Sequence, residues 1–204
     1  SYPLTITDAS GVLLKLKDLN PDAIIVHSYP SDALLITSQS KELGVNAKLF
    51  VLGVGGQLKA FATRFDDKTK QGVVTINSWH PAIHRDAEEL YKLYIKKYGD
   101  NPPSHTLGLA WLSAIILQQA IEKAGTLDRK KIAETLSKET FETPFGTVKF
   151  VNQQNARPLI VFEQWQNGKL EAVFVVAIDL ESGSAVVRND LRTAEIIYPK
   201  PAWK

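Results

Sequence analysis

DLNPDAIIVHSYPSDALLITSQSKELGVNAKLFVLGVGG, residues 18–56, holds two apolar runs that each break off at small and polar residues. The runs, Asp22–His27 and Ala47–Leu52, have the length and apolar character of buried strands. The segment between them predicts a helix that starts at a Ser or Asp cap and stops at Gly44. A strand, a helix and a second strand in this order predict an α/β fold with a parallel sheet flanked by helices.

The apolar character of Asp22–His27 also predicts a strand that helices cover on both faces. Upstream, Gly11–Leu19 has the spacing of an amphipathic helix. Its predicted inner face consists of Val12, Leu13, Leu16 and Leu19. The chain therefore begins with a helix, a strand, a helix and a strand.

Polar residues and glycines follow both predicted strands. The carboxyl ends of parallel strands meet at one sheet edge, where backbone N–H groups and helix N-termini point outward. The candidate ligand-binding residues at this edge are Ser28, Tyr29, Ser31, Asp32, Gly53, Gly55 and Gly56. Ser31 and Asp32 are also the candidate helix caps. Because this set offers recognition groups without a nucleophile and its base, it indicates binding rather than catalysis.

Composition excludes several function classes. A net charge of +2 is too small to indicate nucleic-acid binding, and the basic clusters at Lys96-Lys97 and Arg129–Lys131 are expected to be solvated helix faces. The chain has no cysteine, so it has no disulfide and no thiolate metal site. The apolar run Leu107–Leu117 is too short to span a bilayer and predicts a buried core helix.

Motifs for metals, nucleotides and nucleophiles are also missing. His80 and His84 are four residues apart, but Pro81 lies between them, so a solvated helix start is expected instead of a zinc site. The Gly53–Gly56 turn lacks both the dinucleotide-binding spacing and the Lys-Ser/Thr of a P-loop. The sequence therefore predicts a protein that is not an enzyme and has no cofactor or metal.

An ordered series of segments resembles a known family. The segments are LKLKDLNPDAIIVHSYPSDALLITSQSKELGVNAKLFVLGVGG, GVVTINSWHP, AEELYKLYIKKYGDNPP, LAWLSAIILQQAIEKAG, TPFGTVKF and TAEIIYPKPAW. The series resembles the carboxyl-terminal portion of type I periplasmic solute-binding proteins of ABC importers, the group of the leucine/isoleucine/valine-binding protein. The resemblance implies a periplasmic or extracytoplasmic protein with its signal peptide removed. It also implies a small-molecule ligand held between two lobes, and the membrane subunits of an ABC transporter as partners.

The resemblance implies a division of the chain into three parts. Residues 1–80 belong to ligand-binding lobe 2, residues 81–150 to a mostly helical segment of lobe 1, and residues 151–204 to the return into lobe 2. Since members of the family are longer than 204 residues, the chain resembles a truncated form. Within residues 81–150, helices are expected at 85–98, 106–124 and 129–138.

Three further expectations concern surfaces and ends. The 106–124 helix is apolar around most of its circumference, which predicts self-association through the lobe-1 helices or burial by another part of the chain. Asn167-Gly168 between two alternating runs predicts a hairpin, with an additional strand near Ala185–Arg188. The tail Tyr198–Trp203 is expected to strap the lobe.

The resemblance assigns an aromatic ligand contact to Tyr29, and it leaves Trp79 either lining the cleft or packing the hinge. Amino-acid binders of the family present a carboxylate in the turn after the second strand, whereas LGVGGQ has none. A buried ammonium without a counter-charge is costly, so an aromatic or aliphatic carboxylate is expected unless Asp32 substitutes. An amino acid therefore stays open as the ligand.

Alternatives to an importer's solute receptor are the extracellular sensing domain of a signalling receptor, a small α/β enzyme and an interaction scaffold. Closure of the two lobes on ligand binding is expected of the receptor and of the sensor, but not of the enzyme or the scaffold. A transmembrane helix encoded downstream would indicate the sensor rather than the receptor.

Overall fold

The computed structural model describes residues 6–84, 86–99 and 104–203. The first five residues of the predicted 1–80 segment and Arg85, the predicted start of a helix, lie outside this part of the chain. The chain divides into two compact units. The first unit holds the residues up to Asn77, Phe162–Val173 and the residues from Thr193 onward; the second holds Ser78–Val161 and Phe174–Arg192.

The first unit is an α/β layer structure. Its helices are α1 (Ser10–Leu19), α2 (Pro30–Leu43), α3 (Lys59–Arg64) and α4 (Asp67–Lys70), and its own strands are β1 (Ala23–Val26), β2 (Leu49–Leu52) and β3 (Val73–Asn77). These three strands are parallel, with Ile25 opposite Val51 and Phe50 opposite Val73. The predicted α/β fold with a parallel sheet is confirmed.

The second unit contains three long helices and a small antiparallel sheet. The helices are α5 (Ala87–Tyr98), α6 (Ser104–Ala124) and α7 (Arg129–Lys138), and the strands are β4 (Thr140–Thr143), β5 (Gly146–Val151) and β6 (Gln154–Asn155). β5 pairs with both β4 and β6. The predicted helices are present, while the β4–β5 hairpin was not foreseen.

Two further strands, β7 (Leu159–Gln166) and β8 (Lys169–Asp179), continue from one unit into the other. In the main sheet the order is β1-β2-β3-β7-β8, and β8 pairs antiparallel with β9 (Ser184–Val187) in the second unit. A single 3₁₀ turn, Asn189–Leu191, follows β9. Asn167 and Gly168 both have positive φ, as a tight hairpin turn requires. The predicted hairpin and the additional strand are confirmed.

The structure differs from the sequence prediction in which faces of β1 and α1 are buried. β1 is the outermost strand of its sheet, so it buries Ile24 but leaves Ile25 64% exposed, and the prediction of cover on both faces is wrong. In α1, Leu13 is buried whereas Val12 and Leu19 are exposed, which makes the inner face narrower than predicted. α2 begins at Pro30, ahead of both predicted caps, because proline suits the first helical position.

The ends of α2 and of the chain agree with the prediction. Gly44 stops α2 in the left-handed conformation. In the tail, the indole N–H of Trp203 donates to the carbonyl of Thr69 at 2.9 Å, and its ring meets the edge of Phe50 at 5.0 Å between centroids. The backbone N–H of Lys200 donates to the carbonyl of Lys48. The tail therefore straps the first unit.

Helix α6 is only partly buried. Ile116 and Ala120 pack with Phe141 and Val148 of the small sheet, while Leu109 and Leu117 are among the exposed apolar side chains. The prediction of a fully buried core helix is wrong, because the β4–β5 hairpin and α7 cover only part of the surface of α6. Self-association through the uncovered side stays a prediction. The basic residues Lys96-Lys97 and Arg129–Lys131 are exposed, as expected.

Candidate ligand-binding edge

The turns after β1 and β2 are hydrogen-bonded to each other. The backbone N–H of Gly53 donates to the carbonyl of Val26 at 2.8 Å, and the N–H of Val54 donates to the carbonyl of Ser28 at 3.1 Å. The buried hydroxyl of Ser28 returns a bond to the carbonyl of Val54 at 2.8 Å. Ser28 thus fixes the first turn against the second, which is a structural role.

The N-terminus of α2 places Tyr29 and Ser31 at this edge. Asp32 Oδ2 accepts the backbone N–H of Tyr29 at 3.3 Å, and Asp32 Oδ1 accepts the hydroxyl of Ser31 at 3.2 Å. A carboxylate in the first turn also suits the positive end of the helix. Asp32 is buried, whereas the Tyr29 side chain is 59% exposed. The backbone of Tyr29 is therefore fixed, while its phenol side chain is accessible to a ligand.

The glycine turn packs closely against α2. A side chain on Gly55 would lie 2.8 Å from Cα of Pro30 and from Cβ of Ala33, and Gly55 has a φ of +113°. A side chain on Gly56 would meet Thr75 at 3.1 Å, and one on Gly53 would meet His27 at 3.3 Å. Gly55 is thus required by the approach of α2, whereas Gly53 and Gly56 leave little room for a side chain.

Beneath the glycine turn lies a buried polar group. Gln57 Oε1 accepts from the backbone N–H of Gly55 at 3.0 Å and from the hydroxyl of Thr75 at 2.9 Å. The indole N–H of Trp165 donates to the carbonyl of Gly56 at 2.8 Å. The N–H groups of Gly53, Val54 and Gly55 are therefore all used inside the protein, and they are not donors for an anion.

A second buried polar pair lies at the end of β3. The side-chain amide of Asn77 donates to Glu163 Oε2 at 3.0 Å, and Glu163 is 1% exposed. Burial raises the pKa of Glu163 to about 7, and the bond from Asn77 opposes the rise in part. In the sequence, Glu163 is a charged residue within an apolar strand. This feature could have identified the pair, but the sequence prediction did not use it. Gln57 was missed as well.

Trp79 belongs to the second unit and is 1% exposed. Its ring lies 6.1 Å from that of Phe145, and a side chain on Gly108 would meet it at 2.5 Å. Of the two roles left open for Trp79, this environment favours packing. Its ligand-binding role stays a prediction.

His80 and His84 are buried, so the expected solvated helix start is wrong; α5 begins only at Ala87. The backbone N–H of His80 donates to Nδ1 of His84 at 3.2 Å, and the His84 ring packs on Phe145 at 4.5 Å. Burial lowers the pKa of His84. Within the described residues, no group of three His, Cys, Asp or Glu side chains could hold a metal ion.

The structure gathers seven of the eight predicted site residues at one edge of the first unit: Ser28, Tyr29, Ser31, Asp32, Gly53, Gly55 and Gly56. Their roles differ. Tyr29 and Ser31 are exposed at the edge, whereas Ser28, Asp32 and the glycines build it. The arrangement offers a phenol, a hydroxyl and a helix N-terminus, which suits reversible recognition of a small molecule.

The sequence profile of the periplasmic binding protein family matches residues 1–169. The chain belongs to the periplasmic binding protein family. This periplasmic binding protein is 32% identical over 190 residues to Leu/Ile/Val-binding protein homolog 7 of Brucella abortus (strain 2308), an alignment that takes in 85% of this chain and 46% of that protein.

Two solved structures share the fold of this periplasmic binding protein. LivJ of Streptococcus pneumoniae, a branched-chain amino acid transporter substrate binding protein in complex with isoleucine, gives a TM-score of 0.73 at 24% identity, over 87% of this chain and 50% of LivJ. A solute binding protein of an ABC transporter from R. palustris, in complex with benzoate, gives 0.68 at 16% identity, over 91% and 49% of the two chains.

Membership of the family has direct consequences. Periplasmic binding proteins are not enzymes and lie outside the cytoplasm, so both predictions are confirmed. None of the helices in the described part of the chain is long and apolar enough to cross a membrane. The chain spans about half the length of the curated relatives that it matches, 46% in the case of homolog 7.

Proposed function

We propose that the protein carrying this chain is the solute-binding component of an ABC-type importer. Its ligand is a small organic molecule held between two lobes, and the transporter's membrane subunits are its partners. The observation that carries the proposal is the exposed Tyr29 at the N-terminus of α2, fixed by the buried Ser28 and Asp32. Family membership supports the same role.

The lobe assignment is part of this proposal. Residues 1–80 and 151–204 are assigned to lobe 2 and residues 81–150 to lobe 1, in a chain that is a truncated form. The match to about half of each relative supports the truncation. Trp79 is proposed as a hinge-packing residue, the alternative being a residue that lines the cleft, because it is buried and lies two positions beyond the end of β3.

We infer that the ligand carries a carboxylate on an apolar or aromatic body and lacks an ammonium group. The Gly53–Gln57 turn contains no acid, and both carboxylate oxygens of Asp32 already accept hydrogen bonds. Asp32 is also buried, so an ammonium would be desolvated without an exposed counter-charge from either turn. A ligand carboxylate instead accepts the hydroxyl of Tyr29, while the Tyr29 ring contacts the apolar body.

The experiment is an NMR titration of the chain with benzoate and, separately, with isoleucine. A chain that carries half of the ligand-binding cleft is expected to bind weakly, so the ligand concentrations extend into the millimolar range. Benzoate is expected to shift the resonances of residues 28–32 saturably, and Tyr29→Ala is expected to weaken the fitted affinity by about tenfold.

Tyr98→Ala is the matched control, since Tyr98 is 58% exposed and lies in the second unit. It is expected to leave the shifts unchanged. Saturable shifts with isoleucine alone would keep the receptor and overturn the ligand class. An unchanged affinity for benzoate in Tyr29→Ala would remove Tyr29 from the site.

A further inference from the structure

The hydrogen bond between Asn77 and Glu163 joins two points where the chain passes between its units. Asn77 is the last residue of the first unit before the chain enters the second, and Glu163 is the second residue after the chain returns at Phe162. The two residues are 86 positions apart in sequence, yet their side chains are 3.0 Å apart. The bond therefore ties together the first-unit ends of two connecting strands, β3 and β7.

The surroundings of this bond are neutral. Burial raises the pKa of Glu163 and the neutral Asn77 amide lowers it; among the described residues no charged side chain adds to these two influences. Of the two lysines on α4, Lys68 is exposed; the buried Lys70 lies over the Trp165 ring at 4.8 Å and pairs with Asp67 at 3.0 Å. On β8, Glu171 accepts the hydroxyl of Thr193.

Ionisation of Glu163 changes how stable this buried hydrogen-bonded pair is. A neutral carboxyl group accepts from Asn77 and stays enclosed at little cost. Burial disfavours the carboxylate more than the Asn77 bond favours it, so ionisation favours arrangements in which water reaches Glu163. Such arrangements separate the two strand ends.

We propose that the Asn77–Glu163 bond is a proton-controlled latch on the connecting strands, closed when Glu163 is neutral and loosened when Glu163 ionises. The latch sets how freely the two units move. It rests on the proposed function only in that this movement serves ligand capture. The movement itself can be measured without any ligand.

The test is a distance distribution between spectroscopic labels, one in each unit. Because the chain has no cysteine, the exposed Lys15→Cys and Lys130→Cys substitutions give two unique labelling sites. The distribution is expected to be narrow at about pH 6 and wider at about pH 8, with a midpoint near the Glu163 pKa of about 7. An unchanged distribution across this range would overturn the latch.

Variants separate the effect of Glu163 from that of the other groups in the chain. Glu163→Gln keeps an acceptor for Asn77 and carries no charge, so its distribution is expected to stay narrow at both pH values. Glu89→Gln, an exposed substitution on α5, is expected to behave as the wild type. A pH response that persists in Glu163→Gln would assign the movement to other groups and overturn the proposal.

A second variant covers the case in which Glu163→Gln fails to fold. Asn77→Ala removes the bond without adding a charge, so its distribution is expected to be wide already at about pH 6. A narrow distribution in Asn77→Ala at that pH would contradict the latch. Failure of ligand binding with an intact pH response would count against the proposed function alone.

Discussion

The turns after β1 and β2 lie at the same sheet edge and use their residues in opposite ways. In the turn after β2, the backbone groups of Gly53, Val54 and Gly55 donate inside the protein, and Gly55 packs against α2. In the turn after β1, the ring of Tyr29 is exposed, although its backbone is fixed by Asp32. The glycine turn builds the edge, and the Tyr29 turn presents a side chain from it.

The difference changes how a glycine-rich turn is interpreted. Glycines after a strand suggest an anion site, because bare backbone N–H groups can approach a ligand. Here three of those N–H groups have acceptors within the protein, so the same residues serve close packing instead. A glycine turn indicates an anion site only when its N–H groups lack acceptors.

The substitution that should break the glycine turn most severely is Gly55→Val. The new Cβ would lie 2.8 Å from Cα of Pro30, which is backbone and cannot rotate away, and the φ of +113° is strained for any other residue. Overpacking and backbone strain together predict a loss of about 4 kcal/mol in the free energy of unfolding, measured by urea denaturation.

Gly11→Ala is the matched control for Gly55→Val. Gly11 lies in α1, and a side chain there meets nothing within 4 Å. The control is expected to raise stability by about 0.5–1 kcal/mol, since alanine is the better helix former. Equal effects of the two substitutions would contradict the packing role of the glycine turn.

At the next strand end, Glu163→Gln should have a large effect that depends on pH. The folded-state pKa of about 7 lies above the ordinary value of 4.5, so the folded protein binds more protons than the unfolded chain between these values. Stability is therefore expected to be full below pH 4.5 and to fall as the pH rises toward about 7. Above that range the loss is constant, at about 3 kcal/mol.

Glu163→Gln removes this loss because glutamine does not ionise. The variant is expected to equal the wild type near pH 4.5 and to be more stable by up to about 3 kcal/mol at about pH 8, measured by denaturation at each pH. A wild-type stability that does not fall between these pH values would show that Glu163 is not enclosed in solution.

A smaller loss is expected from Gln57→Ala, which removes the support under the glycine turn. The hydroxyl of Thr75 and the N–H of Gly55 would both lose their acceptor in a buried place. The cost of leaving such groups unsatisfied predicts about 2 kcal/mol of destabilisation by thermal unfolding. Gln118→Ala, on the exposed face of α6, is the control and should change stability by less than about 0.5 kcal/mol.

The sequence predicted what depends on neighbours along the chain. The β1–α2–β2 order, the stop of α2 at Gly44 and the Asn167-Gly168 hairpin follow from local patterns, and the structure confirms them. The position of β1 at the edge of the sheet depends on strand order, which no local pattern encodes. For this reason the exposure of Ile25 was not foreseen.

The candidate site divides in the same way. The residues at the edge were predictable because the carboxyl ends of parallel strands meet there. Their partners were not, since they come from distant segments: Trp165 reaches Gly56 across 109 positions, and Glu163 reaches Asn77 across 86. The family resemblance assigns to Tyr29 an aromatic contact with the ligand. It does not show which backbone N–H groups of the glycine turn already donate to acceptors within the protein.

The smallest effect on stability, and the sharpest separation of the two turns, is expected from Tyr29→Ala. Because the ring is 59% exposed and the bond from Tyr29 to Asp32 comes from the backbone N–H, loss of the ring should change the free energy of unfolding by less than about 0.5 kcal/mol. Calorimetry should nevertheless detect a loss of about tenfold in affinity for an aromatic carboxylate, the contribution of one well-placed ring. Tyr29→Phe distinguishes ring from hydroxyl, since it keeps the apolar contact and loses only the hydrogen bond. If Tyr29→Ala destabilises the fold as strongly as Gln57→Ala does, the turn after β1 is architectural too, and the two turns no longer differ.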